Sequence, residues 1–186
     1  MKNQKISTKR IAMAGLLAAL TAVGSGMRIK IPVTIGGTSA FHLGNIFCAL
    51  SGILLGPGLG GAAAGLGSAI FDMTDPTYIS ECWITFLMKG AYGLASGLVV
   101  KHLHLGDYLT DLLAASAGAI TYAVLYLAKT FLKTMIVSGT TASAAWVALG
   151  LKLPATTFNM AVAIIIAPIL ATAIRKALSL NHITLN

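Results

Sequence analysis

The sequence predicts an all-α integral membrane protein with six transmembrane helices. Hydrophobic residues fill 56% of the 186 positions and charged residues only 10%, whereas about a quarter of the residues in soluble domains are charged. Long apolar stretches recur along the chain and are separated by short polar segments. A membrane-spanning helix needs about 20 mostly apolar residues. Residues 1–186 are therefore predicted to form a single transmembrane domain.

The apolar stretches place the six helices at about residues 9–27, 43–55, 59–74, 82–100, 108–132 and 155–175. The second and third helices are short. Between them, Gly56-Pro57-Gly58 predicts a tight reversal, because proline presets φ and glycine permits unusual backbone angles. These two helices are therefore predicted to form a hairpin.

Basic residues predict the orientation of the helices. With six spans both termini share one side, which receives seven basic residues: Lys2, Lys5, Lys9, Arg10, Lys101, Arg175 and Lys176. The opposite side receives four: Arg28, Lys30, Lys133 and Lys152. Because cytoplasmic loops carry an excess of Lys and Arg, the N and C termini are predicted to be cytoplasmic.

Two of the outer connections, loops 1 and 5, are predicted to be long. In residues 28–42, polar and apolar positions alternate up to a Gly36-Gly37 turn, and this period of two predicts a small extended lid. Residues 133–154 are rich in Ser, Thr and Ala and carry Trp146. Long ordered loops often cover binding sites. A ligand site is therefore expected on the outer side.

Ionisable side chains inside the predicted spans indicate function. Lys89 and Lys129 lie within spans, where a lysine at the bilayer centre costs roughly 2.5–3.5 kcal/mol and must find a partner or water. The helical spacing of Glu81, Thr85, Lys89 and Tyr92 places them on one face. We interpret this face as lining a ligand site. The alternative is a structural ion pair that joins two helices.

Further polar and aromatic residues in the outer half complete the predicted substrate-binding set: His42, Asn45, Asp72, Tyr126, Trp146 and Asn159. An amide in an apolar helix has two donors and an acceptor to satisfy, and a heterocyclic ligand could satisfy those of Asn159. The alternative for Asn45 is helix capping. Trp and Tyr also populate membrane interfaces for reasons unrelated to a ligand.

Small residues form a stripe on the first helix, where Ala14, Ala18 and Ala22 recur on one face. Small side chains let helix backbones approach closely, which promotes helix association in lipid. The stripe therefore predicts either internal packing or a docking face for a separate membrane subunit. The Gly61-x-x-x-Gly65 and Gly93-x-x-x-Gly97 motifs are predicted to serve internal packing.

Several other activities are not supported. The basic residues form no stripe with interleaved aromatics, so no nucleic-acid partner is predicted. The string from Gly56 to Gly61 matches GxGxxG, but it joins two apolar helices instead of following a strand. Cys48 and Cys82 lack CxxC spacing, so no metal site is predicted. Without a nucleophile and base pair, the sequence predicts neither an enzyme nor a bound cofactor.

Three segments resemble a known family. They are the Ala14-x-x-x-Ala18 stripe, the segment FHLGNIFCALSGILLGPGLGGAAAGLGSAIFD that starts at Phe41, and the segment TFLMKGAYGLASG that starts at Thr85. Together they resemble the S components of energy-coupling factor (ECF) importers, which are small six-helix proteins that capture vitamins. The likeness covers most of residues 8–175. It is more specific for the superfamily than for any one substrate.

The resemblance implies a multi-pass substrate-binding subunit in a bacterial plasma membrane, in contact with lipid. It implies that the stripe on the first helix docks onto an ECF transmembrane coupling subunit, and that two ABC-type ATPases supply the energy. The family's pocket faces outward, in the regions that hold the following residues: His42, Glu81, Lys89, Trp146 and Asn159. The branches most similar to this chain are those assigned to hydroxymethylpyrimidine or pyridoxine-type compounds, although Lys89 would also serve an anionic vitamin such as pantothenate.

Two other functional classes remain as alternatives. The first is a stand-alone secondary transporter, in which Lys89 and a carboxylate form a proton-coupled pair. The second is an intramembrane enzyme or assembly protein, for which the sequence offers no catalytic constellation.

Overall fold

A computed structural model describes residues 7–32 and 38–184. Within these residues the chain forms six α-helices: α1 (Thr8–Gly26), α2 (Gly44–Leu55), α3 (Pro57–Thr74), α4 (Cys82–His102), α5 (Asp107–Leu132) and α6 (Ala142–Leu180). Two strands, β1 (Arg28–Pro32) and β2 (Thr38–His42), lie between α1 and α2. A 3-10 turn (Ile79–Glu81) precedes α4, and a π-helical turn (Lys133–Val137) follows α5. The predicted all-α class is confirmed, apart from this small hairpin.

The distribution of side chains is that of a membrane protein. Three helical segments are long and apolar enough to cross a bilayer: Ile79–His102, Asp107–Val137 and Ala142–Leu180. Large apolar side chains such as Leu87, Ile120 and Ile165 are exposed, whereas Asn45 and Asp111 are buried. In a soluble protein, apolar side chains are preferentially buried and charged ones are almost always exposed. Here the apolar exterior suits lipid, and the interior holds the polar groups.

Helix α2 lies at the centre of the bundle. It packs against α1, α3, α4 and α6, and most of its 12 residues are buried. At 1.5 Å per residue α2 is about 18 Å long, which is shorter than the roughly 30 Å hydrocarbon core. Its neighbours therefore shield it from lipid along most of its length.

Glycines hold α3 against α4 and shape the turn before α3. A Cβ on Gly65 would lie 2.7 Å from the Phe86 carbonyl oxygen, and one on Gly93 would lie 2.7 Å from the Gly60 carbonyl oxygen. These distances leave no room for a side chain, so the predicted internal role of the glycine motifs is confirmed. Gly56 has a φ of +79° and Pro57 begins α3, which confirms the predicted tight reversal.

The prediction of a long fifth outer loop is wrong. Helix α6 begins at Ala142 instead of residue 155 and ends at Leu180 instead of residue 175. The Thr141 hydroxyl caps it by accepting a hydrogen bond from the Ala144 backbone N–H at 3.4 Å. Pro154, the last residue of the predicted loop, lies inside α6. A proline inside a membrane helix is tolerated because neighbouring helices and local backbone adjustments can satisfy the backbone groups that it frees.

The predicted lid over residues 28–42 forms an antiparallel hairpin. Its register pairs Arg28 with His42 at one end and Pro32 with Thr38 at the other. The period-two pattern therefore identified both strands correctly. The predicted Gly36-Gly37 turn lies outside the described residues.

Candidate ligand site

A polar cavity lies between the lid and the adjacent end of the helix bundle. Its lining comes from α1, the lid, α2, α3, α4, α5 and α6. Eight of the ten predicted substrate-binding residues contribute to this lining: His42, Asn45, Asp72, Glu81, Thr85, Lys89, Tyr126 and Asn159. Residues that are distant in the sequence therefore meet in one cavity.

Lys89 and Asn45 form the floor of the cavity. The Lys89 ammonium donates a hydrogen bond to Asn45 Oδ1 and lies 3.7 Å from the centroid of the Tyr122 ring. Lys89 is only 3% exposed and, within the described residues, forms no ion pair with a carboxylate. Asn45 has no capping role, because Leu43 is the N-cap of α2. A buried ammonium with a neutral partner retains donor capacity for a ligand.

Arg28 and Asp72 form one wall. Arg28 Nη2 lies 3.8 Å from Asp72 Oδ1, and its guanidinium carbon lies 4.0 Å from the centroid of the Phe71 ring and 4.8 Å from that of Tyr78. These contacts hold the start of the lid against the end of α3. Arg28 was absent from the predicted substrate-binding residues, although it lies in the cavity lining. Its place in the predicted lid was the available signal.

Asn159 attaches the lid to α6. Its Nδ2 donates to the Ala40 carbonyl oxygen at 2.8 Å, and its Oδ1 accepts from the His42 backbone N–H at 3.0 Å. The amide that was predicted to bind a ligand therefore has two partners on β2. These two hydrogen bonds of Asn159 hold the lid over the cavity.

A shared carboxylate lies at the rim of the cavity. Glu81 Oε2 accepts from Lys129 Nζ at 2.5 Å, and Oε1 accepts from Lys133 Nζ. The ion pair that joins two helices is therefore formed by Glu81 with α5, not with Lys89. These contacts also give the intramembrane Lys129 the partner that its location requires.

Tyrosines of α5 form an aromatic wall. The rings of Tyr122 and Tyr126 are stacked, with centroids 5.8 Å apart and an interplanar angle of 20°. Tyr92 extends this row, 6.0 Å from Tyr122, but it is fully buried and does not line the cavity. It lies where a side chain on Gly118 would collide with its ring. Tyr92 therefore belongs to the core beneath the cavity, contrary to its predicted position.

Trp146 also lies outside the cavity lining. It is 65% exposed, and its ring lies 5.3 Å from that of Phe131. The expectation that it lies over the cavity depended on a long, ordered, non-helical fifth loop. Because this segment is helical, Trp146 is held on the outer face of α6.

His42 has an unusual electrostatic environment. Burial, together with the nearby charges of Lys89 and Arg28, lowers the pKa of His42 well below its usual value of 6.5. Its Nδ1 is buried without a hydrogen-bond partner in the part of the chain that the structure describes. The imidazole is therefore neutral at physiological pH, and its Nδ1 can form a further hydrogen bond.

The alanine stripe on α1 faces inward for at least part of its length. Ala14 is buried in the core of the bundle, and the Ala18 carbonyl oxygen lies 2.2 Å from the position of a Cβ on Gly67. Ala22 is half-buried. Of the two predicted roles, internal packing describes Ala14 and Ala18. The alanines and glycines exposed on α1 are Ala12, Gly15, Ala19 and Gly26.

Comparison with known proteins identifies a family for this chain. No curated protein matches the sequence. A family model described as "ECF-type riboflavin transporter, S component" matches residues 5–176, which include every described residue of the cavity lining. The match covers nearly the whole chain, and the family consists of transporter subunits instead of enzymes. The chain belongs to the family of ECF-type riboflavin transporter S components.

Proposed function

We propose that this protein captures a small vitamin outside the cell and delivers it to an ATP-driven ECF importer. In this proposal the single domain crosses the membrane six times, with both termini in the cytoplasm and the lid outside. The excess of Lys and Arg on the side of the termini supports this orientation. The cavity beneath the lid then faces the external medium.

The floor of the cavity is the observation that carries the proposal. Lys89 is a buried ammonium whose protein partner is the neutral Asn45, beside the stacked rings of Tyr122 and Tyr126. A ring with acceptor atoms along one edge would stack on the tyrosines and accept from Lys89. The energetic cost of burying the lysine is then offset when the ligand is bound.

Riboflavin is the first ligand to test, because the family model carries its name. Its ring system has carbonyl and imine acceptors along one edge, which suit Lys89. The resemblance to the hydroxymethylpyrimidine and pyridoxine branches makes these smaller rings the next ligands to test. All three share an aromatic ring with polar substituents.

Calorimetric titration of the purified protein in detergent tests this proposal. The panel contains riboflavin, hydroxymethylpyrimidine, pyridoxine and pantothenate. We expect one of them to bind tightly to the wild type and much more weakly to Lys89→Met. If no B vitamin or precursor binds, the capture function fails.

The exposed small face of α1 is the proposed contact with the ECF transmembrane subunit. A Cβ on Gly15 would meet no atom within 4 Å, so a larger side chain there would leave the fold intact but block close helix approach. Gly15→Leu should abolish assembly with the transmembrane and ATPase subunits but preserve vitamin binding. Gly150→Leu is the matched control, because Gly150 on α6 is also exposed and unobstructed.

Reconstitution distinguishes this function from proton-coupled transport. Lys89 has no carboxylate partner in residues 7–32 and 38–184, which argues against a Lys89–carboxylate proton pair. Liposomes that contain this chain alone should therefore take up no vitamin under a proton gradient. Uptake without the ATPases would favour the secondary transporter.

A further inference from the structure

The rim of the cavity holds more positive charge than the protein neutralises. Lys129 and Lys133 share the single carboxylate of Glu81, and both carboxylate oxygens are occupied. Lys152, on α6, adds a third ammonium, 5.3 Å from the centroid of the Tyr126 ring. Lys129 lies 5.8 Å from the same centroid. Two ammonium groups therefore lie close to one aromatic ring.

Lys152 is the unusual member of this cluster. It is 6% exposed, although a lysine normally extends its ammonium into water. In the part of the chain that the structure describes, its ammonium forms no ion pair or side-chain hydrogen bond. Its ammonium lies beside the same Tyr126 ring as that of Lys129, whose partner is Glu81.

No other acidic side chain can complete the cluster. The sequence contains five acidic residues. Besides Glu81, three of them lie beside other basic residues: Asp72 beside Arg28, Asp75 beside Lys30, and Asp111 beside Arg175. The fifth, Asp107, begins α5, about 33 Å along that helix from Lys129 at 1.5 Å per residue. The three lysines therefore carry two positive charges more than Glu81 neutralises.

We propose that Lys129, Lys133 and Lys152 form an anion-binding subsite at the rim of the cavity, which takes a phosphate or carboxylate group. Ammonium groups bind such oxyanions through charge-assisted hydrogen bonds. Lys152 is held beside Thr156, which lines the cavity and donates its hydroxyl to the Lys152 carbonyl oxygen at 2.9 Å. The subsite therefore adjoins the vitamin site and rests on the proposed function only for its outward orientation.

The first test measures inorganic phosphate binding without any vitamin. The full chain in an uncharged detergent is melted at constant ionic strength while phosphate replaces chloride. Phosphate should raise the melting temperature of the wild type, because a ligand that binds only the folded state stabilises it. In Lys152→Met, the phosphate concentration that gives half of this effect should rise at least about tenfold, as expected for the loss of one hydrogen bond to a charged group.

Three variants make this result specific. Lys152→Arg keeps the charge and should keep the response. Lys101→Met removes an exposed lysine from the end of α4 and should leave the response unchanged. Glu81→Gln frees Lys129 and Lys133 from their carboxylate and should lower the phosphate concentration required. The proposal is overturned if the wild type shows no response or if Lys152→Met responds like the wild type.

The source of the anion is decided in lipid nanodiscs. If phosphatidylglycerol in a phosphatidylcholine disc abolishes the response of the wild type to added phosphate, a lipid headgroup occupies the subsite. If the response persists, the subsite serves soluble anions. Comparison of riboflavin with riboflavin 5′-phosphate then shows whether Lys152→Met weakens the phosphate ester selectively. If neither flavin binds, the proposed ligand fails, while the phosphate measurement still decides the subsite.

Discussion

The two halves of the helix bundle use the same helices for opposite purposes. In one half, Gly93 lets α4 approach Gly60 of α3 closely, and Gly118 lets α5 approach Tyr92 and Ser96 of α4. In the other half, α4 and α5 carry Lys89 and Tyr126 around a polar cavity. The close packing of the small-residue half makes it rigid, and this rigidity holds the buried charge of the polar half in place.

The largest expected effect comes from enlarging the small-residue half. A Cβ on Gly60 would lie 2.3 Å from the Ser51 carbonyl oxygen, and backbone cannot move aside as a side chain can. Gly60→Leu should therefore destabilise the fold by at least about 3 kcal/mol, at the upper end of overpacking costs. Gly58→Leu, two residues earlier in α3 and unobstructed, is the control. Thermal melting and size-exclusion profiles in detergent measure both, and equal melting temperatures would contradict the assigned rigidity.

The polar half should respond in the opposite way. Lys89→Met removes a buried charge with a neutral partner, so the unliganded protein should be as stable as the wild type or more stable. Vitamin affinity should fall about tenfold to a hundredfold, which corresponds to the loss of about 1.5–3 kcal/mol for a hydrogen bond to a charged group. Calorimetric titration and thermal melting of the same samples test both effects. A variant that melts lower but binds normally would assign Lys89 to the scaffold instead.

A smaller effect is expected at the lid. Asn159→Ala removes both hydrogen bonds to β2, at roughly 0.5–1.5 kcal/mol each. The vitamin should dissociate about tenfold faster, and the His42 amide, which loses its acceptor, should exchange hydrogen faster. Thr157→Ala is the control, because the Thr157 hydroxyl donates only within α6. Unchanged dissociation and exchange would show that Asn159 does not hold the lid closed.

The smallest effect concerns pH. Burial and the nearby cations Lys89 and Arg28 lower the pKa of His42 in the folded protein below 6.5, so the unfolded chain takes up a proton first as the pH falls. Stability should therefore decrease below about pH 6.5. The Lys30 ammonium, through its hydrogen bond, lowers the pKa of Asp75 from 3.8 to about 2, so that contribution is lost only below about pH 4.

Melting temperatures from pH 8 to pH 5 separate the two groups. His42→Gln should flatten the decrease over this range, whereas Asp75→Asn should leave it unchanged. A wild type whose melting temperature is constant from pH 8 to pH 5 would contradict the burial of a neutral imidazole.

The sequence predicted the helices correctly where a long apolar stretch was bounded by glycine or proline residues. The Gly56-Pro57 reversal was identified from its glycine and proline residues, and the lid strands were identified from their period-two pattern. The start of α6 was not identified, because residues 133–154 are rich in Ser, Thr and Ala, and a proline usually ends a helix. Helix α6 nevertheless continues through Pro154, in contact with α2 and α5. Because α6 begins at Ala142, Trp146 lies on this helix and outside the cavity lining, instead of in a loop over the cavity.

Helical spacing correctly predicted that Glu81, Thr85 and Lys89 line the same cavity. It could not show that Glu81 bonds to α5 or that Asn159 bonds to the lid, because those partners are far away in the sequence. Tyr92 shares the face of Lys89 but lies deeper. Spacing defines a face of a helix, whereas the depth at which the cavity ends depends on the neighbouring helices.

We propose that the floor of the cavity captures a vitamin. Native mass spectrometry of the purified protein tests this capture most directly. Wild type and Lys89→Met are prepared in parallel from cells grown with the same vitamin panel. We predict that the wild type retains one small ring-containing vitamin in about a 1:1 ratio, as expected for one enclosed site, and that Lys89→Met has lost it. Equal retention by both proteins, or no bound vitamin in either, would contradict the claim.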